Sequence, residues 1–365
     1  VPRRNSPVKL KGRKSARNPS TKVLARSSGA VDLHFHGAFG VDLMGAQNPE
    51  LEDLAHGLGA QGLAAFCPTT LSTNPDDLAN AVERLGRWIR RARTSPTFSK
   101  SAALPLGIHL EGPFINSACC GAHPPELIRP FDFKELERLW DLSRGMIKIL
   151  TLAPEMLSEA TLLRLTGWAK ERGVSLSVGH SKATEAQALN AFSHGFRGIT
   201  HAWNALPFHQ RAPGALAAAF RHPKSYVEII IDQVHVAPSV IQWTEELQPA
   251  HRLCYVSDCV PAAETDGLIA MSFGPLKIRY RDGACRLENG ALAGGGKLLT
   301  RTFAEWVQKT ALSQSPSSIA SHLKKRLPSI TEAPLFALGL RKSELGGRQT
   351  EWIWTGQTIQ ARPLK

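Results

Sequence analysis

Residues 30–36 spell AVDLHFH, a short apolar run that closes on two histidines one residue apart. Alternate residues of a strand share a face, so His34 and His36 point the same way and suit a common ion. The same pattern recurs along the chain. Strand-like runs follow at 63–67, 104–110, 146–152, 174–178, 198–201, 226–231 and 253–256, completing a set of eight. Amphipathic stretches separate them, near 50–60, 133–143, 157–171, 184–194 and 238–247. The clearest starts with Asn74 as N-cap and Pro75 as first helical residue, and sets Leu78, Ala81, Val82, Leu85, Trp88 and Ile89 on one face. Such alternation predicts an α/β fold, a (β/α)₈ TIM-like barrel of roughly 250 residues. The chain of 365 residues accommodates it with attachments at both ends.

In a parallel barrel the chemistry lies at the C-terminal ends of the strands. After His34 and His36, the third run ends in His109-Leu110-Glu111 and the fifth in Gly179-His180-Ser181. The sixth ends in Thr200-His201 and runs on to Asn204, the seventh in Asp232 to His235, and the eighth in Ser257-Asp258. The second, ending in Cys67-Pro68, is the exception, and the fourth ends weakly in Glu155. A lone histidine at a strand end is more often a hydrogen-bonded structural residue than a ligand. Convergence changes that balance. His34, His36, Glu111, His180, His201 and Asp258 all fall at the competent face and predict a metal centre of one or two ions. Imidazoles and carboxylates suit a divalent transition metal, zinc first, with iron, manganese or cobalt as alternatives. A water bound there has its pKa lowered towards 7. Asp258 can take its proton and hand it to a leaving group, so the expected chemistry is hydrolysis.

Composition narrows the class. Hydrophobic residues at 42% and charged residues at 21% are ordinary for a globular chain. No run of 18 apolar residues and no basic-then-apolar leader appears, so neither a membrane span nor secretion is expected. The six cysteines form no C-x-x-C pair, and reduced thiols in the cytoplasm are the expectation. The net charge of +13 belongs largely to one segment: nine cations precede the first acid, Asp32, and without them the balance falls to +4. This basic arm, residues 1–29, carries only Val8–Leu10 and Lys22–Ala25 as strand-like runs. It lacks regular aromatics, so a solvated arm is favoured over a nucleic-acid surface. The barrel is expected over 30–312. A helix and a hairpin around Thr355-Gly356 are expected within 313–365, and hairpin material over 267–293 turns at Asp282-Gly283.

Seven segments sharpen this chemistry: VDLHFHGAFG (31–40), HLEGPFINSACCGAH (109–123), TLAPE (151–155), VGHSKAT (178–184), THAWNALPFHQRAPG (200–214), IIDQVHV (230–236) and VSDC (256–259). In order and spacing they resemble the N-acetylglucosamine-6-phosphate deacetylases of the amidohydrolase superfamily, over about residues 31–300. The resemblance implies that Glu111, His180 and His201 bind the principal metal. His34 and His36 match members that hold a second ion, with Glu111 bridging. Asp258 is then general base and acid, and His123 hydrogen-bonds the N-acetyl group. Asn204 and Ala205 lie in the loop that receives the sugar phosphate. Arg211 clamps the phosphate, from a neighbouring subunit if members' common dimeric state applies, and His235 touches a hydroxyl or the phosphate. The substrate so implied is N-acetylglucosamine 6-phosphate, with the galactosamine isomer as rival. A non-catalytic binding protein on this scaffold is a rival of another class, disfavoured because every expected ligand is present.

The chain also departs from the family pattern. Asp232-Gln233-Val234 stands where Asp-Gly is usual before the histidine that matches His235, Gly295 replaces a serine, and Ala212 replaces a glutamate. The β-rich N-terminal segment is shortened, so a small, reduced accessory β domain is expected from the chain ends. Gly294-Gly295-Gly296-Lys297 fails the phosphate-loop spacing, because Ala291 and Leu298 stand where Gly and Ser or Thr are needed. Cys259 is read as core, His109 as a support behind the ligands, and Glu155 as structural.

Overall fold

The computed structural model describes residues 21–95, 98–267 and 270–364. Val8–Leu10 and most of the basic arm lie outside them. Eight parallel segments carry the fold: β1 (Ala30–Phe35), β2 (Leu63–Pro68), β3 (Ile108–Glu111), β4 (Ile147–Leu152), β5 (Ser175–Val178), β6 (Gly198–Ile199), β7 (Tyr226–Ile230) and β8 (Leu253–Val256). Among the described residues, β3 to β8 form one six-stranded sheet in sequential order. β1 and β2 form a second with the short strand Leu104–Pro105. Isolated parallel bridges, Thr69 to His109 and Phe35 to Cys259, join the two.

The single run expected at 104–110 is thus two strands. Leu104 and Pro105 pair with β2, whereas β3 pairs with β4. The break falls at Leu106-Gly107, where a side chain on Gly107 would collide with Lys148 at 2.2 Å. Each strand but the eighth is followed by a helix that covers it. The helix Pro75–Thr94 starts as expected, with the Asn74 side chain accepting from the Asp77 amide at 2.9 Å. Periodicity did not single out Gly214–Arg221, whose GALAAAFR sequence is too short to show a face.

The interior is layered. Towards the N-terminal ends of the strands, Val31, Ala65, Ile149 and Tyr226 belong to an apolar cluster closed by Ala333, Leu335, Ala337 and Leu338. The last four belong to a turn of helix, Ala333–Leu338, that sequence periodicity did not mark. Above them lies a polar layer. Ser177, Thr200 and Thr151 are joined by hydroxyl contacts of 2.7 Å, and Thr151 reaches His109 Nε2 at 2.7 Å. The prospective ligands form the top layer.

The chain ends meet in a separate three-stranded antiparallel sheet. Lys22–Ser27 pairs with Thr350–Trp354, which turns back into Ile359–Pro363. Arg26, counted with the basic arm, is tied here to Glu351 at 2.9 Å. The expected hairpin material after Asp258 is a four-stranded antiparallel sheet over 271–295. No helix among the described residues is long and apolar enough to cross a membrane.

A buried ion pair locks the last helices to the parallel strands. Glu245 accepts from Arg326 Nε at 2.8 Å and from another guanidinium nitrogen at 2.7 Å, from Trp306 Nε1 at 2.7 Å, and from the Tyr255 hydroxyl. Removing one partner of a buried pair leaves an uncompensated charge. Glu245→Ala is therefore expected to lower unfolding stability by about 3–5 kcal/mol, read from the midpoint of urea denaturation, with the histidine and carboxylate groups at the strand ends left in place.

Candidate metal centre

His34 and His36 reach the same point, as strand alternation requires, with their Nε2 atoms 3.1 Å apart. The register of β1 on β2 slips between Asp32 and Phe35. This irregularity lets Leu33 face the apolar interior while His34 and His36 both reach the top layer. His180 and His201 follow β5 and β6, and their Nε2 atoms lie 3.0 Å apart. Glu111 stands between the pairs. Its Oε1 meets His34, His180 and His201 at 3.4, 3.2 and 2.9 Å, and its Oε2 meets His36 and His123 at 3.3 Å each. Asp258 Oδ1 closes the group, 3.4 Å from His34 and 3.3 Å from His36.

All six groups predicted as ligands therefore converge. His180, His201 and Asp258 hold φ values of 49°, 30° and 51°. Side-chain-bearing residues in that region cost of order 1–3 kcal/mol each and cluster at functional sites. Asp258 is secured through its strand: its amide donates to the His34 carbonyl at 3.0 Å, and its carbonyl accepts from Gly295 at 2.7 Å. A side chain at Gly295 would sit 2.1 Å from the Ser257 carbonyl, which accounts for glycine at that departure from the family pattern.

Electrostatics distinguishes the groups. Burial pushes the Asp258 carboxyl upward, but the charge on His34 and the hydrogen bond to His36 outweigh it and hold the group at about 2. Glu111 is likewise held well below the usual carboxylate range against its burial. His34 is raised well above 6.5 despite burial, by the charges of Glu111 and Asp258. The carboxylates call for positive charge, and the imidazoles can present lone pairs instead of protons. His180 Nδ1 lies 2.8 Å from the Cys119 carbonyl, to which it donates, so Nε2 of the neutral ring faces Glu111 without a proton. Facing imidazole lone pairs beside two buried carboxylates fit a bound cation. Two overlapping triads have this character: Glu111, His180, His201 and His34, His36, Glu111.

His123 is different. The Ser72 amide donates to its Nδ1 at 3.1 Å, so the neutral ring carries its proton on Nε2, towards Glu111 and the cavity. Burial lowers its pKa to about 4 and keeps it neutral. His109 is lowered to about 4 by burial as well; its Nδ1 meets the Leu33 carbonyl and its Nε2 the Thr151 hydroxyl, so it serves as a strut. Glu155 holds the Asn116 and Ser181 side chains at 3.0 and 2.6 Å. Cys259 is buried and donates to the Lys297 carbonyl.

A cavity of about 210 Å³ opens over the cluster. His36, Glu111, His123, His180, His201 and Asp258 line it, with Asn204, Ala205, His235 and an apolar wall that includes Leu71 and Phe273. Arg211 does not line it. It is exposed and borders a neighbouring cavity with Lys182 and Arg221. Sequence patterns overlooked Ser72, which sets the His123 proton, and Phe273, whose ring packs edge-on against His36 at 5.1 Å. They also overlooked Glu228, an acid inside the apolar run YVEII, wholly buried beneath His34. That interruption is a signal in itself.

The fold and this cluster define a hydrolytic enzyme of the amidohydrolase kind. No family model matches the chain. It is 31% identical over 283 residues to the N-acetylglucosamine-6-phosphate deacetylase of Bacillus subtilis (strain 168), covering 77% of this chain and 69% of that protein. It is 29% identical over 284 residues to the N-acetylgalactosamine-6-phosphate deacetylase of Escherichia coli O157:H7, covering 77% and 72%. Among solved structures, a mutant N-acetyl-D-glucosamine-6-phosphate deacetylase from Mycobacterium smegmatis, in complex with N-acetyl-D-glucosamine-6-phosphate, matches with a TM-score of 0.78. That match has 27% identity and covers 91% of this chain and 86% of the other. The chain belongs to the N-acetylglucosamine-6-phosphate deacetylase family.

At the rim, Asp232 holds the loop that contains Gln233. Its Oδ1 accepts from the Val234 and His235 amides at 2.9 Å, and Gln233 adopts φ 67°. Asp232 Oδ2 pairs with His235 Nδ1 at 2.7 Å. Burial opposes both charges, yet the pair raises His235 above 6.5 and lowers Asp232 below 3.8. The raised histidine stabilises the fold below pH 6.5, and that contribution is lost as pH rises through its folded pKa. The depressed aspartate stabilises above pH 3.8, and its contribution is lost as pH falls through its folded pKa. Asp232→Asn should thus cost most stability between pH 3.8 and 6.5. Urea titrations across pH would record this, and NMR should show the His235 ring titrating lower in the variant.

Proposed function

We propose that this protein hydrolyses the N-acetyl group of N-acetylglucosamine 6-phosphate to glucosamine 6-phosphate and acetate. The observation that carries the reading is the convergence of Glu111, His180, His201 and Asp258 with a neutral, proton-bearing His123 in one cavity. Family membership supports the amino-sugar phosphate as substrate class. The relative that acts on the galactosamine isomer keeps that epimer as the second reading. We read the two parallel sheets and their bridges as one (β/α)₈ barrel over 30–312. The sheet of the chain ends is its reduced accessory domain, built from the strand at 22–27 and the 313–365 segment.

Glu111, His180 and His201 would hold the principal ion, and His34 and His36 a second with Glu111 between them. Zinc is the first choice for this imidazole-rich set, with iron, manganese or cobalt as alternatives. When bound, a divalent ion supplies Lewis acidity that polarises a carbonyl and eases deprotonation of water near neutral pH. Asp258, held ionised, takes the proton of the attacking water and returns it to the departing amine. His123 donates from Nε2 to the acetyl carbonyl as negative charge develops there. Asn204, Ala205 and His235, all on the cavity wall, orient the sugar phosphate.

Arg211 lies outside this cavity, which supports its delivery by a second copy in a homodimer. The exposed Phe208 and Trp243 flank the same loop. Arginine suits bidentate contact with phosphate.

Acetate release from both epimers, with metal-replete protein, is the decisive assay. Faster turnover of the glucosamine form is expected, and no release from either sugar overturns the reading. Asp258→Asn should lower kcat by about 10²–10⁴, and His123→Ala by about 10²–10³. Arg211→Ala and Asp258→Asn subunits, each impaired alone, should regain activity when co-expressed, because one site of the mixed dimer is complete. Absence of rescue would leave Arg211 to its own subunit.

A further inference from the structure

Glu228 is an acid in the middle of an apolar strand. Tyr226 and Ile230, on either side of it in β7, belong to the apolar interior cluster. Glu228 is wholly buried, its Oε2 lies 3.2 Å from His34 Nδ1, and its Oε1 has no hydrogen-bond partner. Its backbone carbonyl accepts from the Ala202 amide at 2.7 Å, immediately after His201. Potential ligand atoms of His34, His109 and Glu228 lie within 4.8 Å of one another. A third cation site there is unworkable, because His109 has both ring nitrogens engaged with Leu33 and Thr151.

The four imidazoles of the cluster differ in what holds their far nitrogens. Nδ1 of His36 and Nδ1 of His201 are buried without a partner. Nδ1 of His180 is held by the Cys119 carbonyl, and Nδ1 of His34 by Glu228. Each half of the cluster thus contains one anchored imidazole and one unanchored imidazole. An acceptor on the far nitrogen fixes both tautomer and ring orientation, and such partners typically change metal affinity by 10–100-fold. We propose that Glu228 is the positioning residue that makes His34 a ligand, accepting its Nδ1–H so that Nε2 presents a lone pair to the ion shared with His36 and Glu111. This rests on the two-ion reading above. It assigns the second site to a side chain on a strand that supplies it with no ligand.

Glu228→Leu removes the acceptor at similar volume, and Glu228→Gln keeps an oxygen acceptor without the charge. Full-length protein, freed of metal and titrated with Co²⁺ against a chelator, reports both affinities and the visible spectrum of each bound ion. Wild type should take up two ions. Glu228→Leu should keep the first affinity and lose about 10–100-fold in the second, with the spectrum of that ion altered. Glu228→Gln should fall between the two and decides the matter alone if the leucine variant does not fold. Unchanged second-ion affinity, or equal weakening of both ions, overturns the proposal. Uptake of one ion by wild type overturns it as well, while acetate release would still uphold the deacetylase reading.

Discussion

A buried carboxylate surrounded by imidazoles is costly unless positive charge is brought to it. Glu111 is such a group. Its two oxygens divide five histidines between them, three on Oε1 and two on Oε2, all within 3.4 Å. The close Nε2 pairs, His34 with His36 and His180 with His201, leave room for at most one proton in each. A cation can replace those protons, and the Cys119 carbonyl on His180 Nδ1 suits one by turning an unprotonated Nε2 of the neutral ring inward. The depressed carboxyls of Glu111 and Asp258 express the same demand.

The parallel strands exist, in effect, to meet that demand from several directions. His34 comes from β1, Glu111 from β3, and His180, His201 and Asp258 from the ends of β5, β6 and β8. These are distant in sequence and adjacent only because the strands are parallel and in order. Below them the hydroxyl chain from Ser177 to His109 fills a layer where apolar side chains would pack more cheaply. Backbone strain at His180, His201 and Asp258 adds to that cost. The apolar layer closed by Ala333–Leu338 and the Glu245–Arg326 pair provide the stability against which such costs are set.

Much of this was legible in sequence, for identifiable reasons. Strand runs buried on both faces stand out as short apolar blocks, and seven of the eight predicted runs match single strands to within two residues at either end. The break at Gly107 escaped notice because it depends on Lys148, a neighbour in space. The candidate ligands stand out because each ends an apolar block. Glu228 was not sought because it lies inside one, where the pattern reads as core. Ser72 and Phe273 were hidden for a different reason: each acts by contact with a histidine distant in sequence, and no local spacing records it. Arg211 carries a recognisable motif, but only the fold shows that it borders another cavity.

That separation bears on how specificity is divided from chemistry. The groups proposed to handle protons and charge sit at strand ends, where backbone hydrogen bonding leaves little freedom. Groups that would recognise the sugar phosphate, among them Asn204, Ala205 and His235, sit on the loops beyond. Asp232 holds one of these loops in shape with Gln233 at positive φ. At the floor, a side chain on Gly295 would meet the Ser257 carbonyl at 2.1 Å in this backbone. The His, Glu and Asp cluster is thus held by backbone contacts between strand ends, whereas the groups proposed to meet the sugar phosphate are held within their own loops, as Asp232 holds the His235 amide.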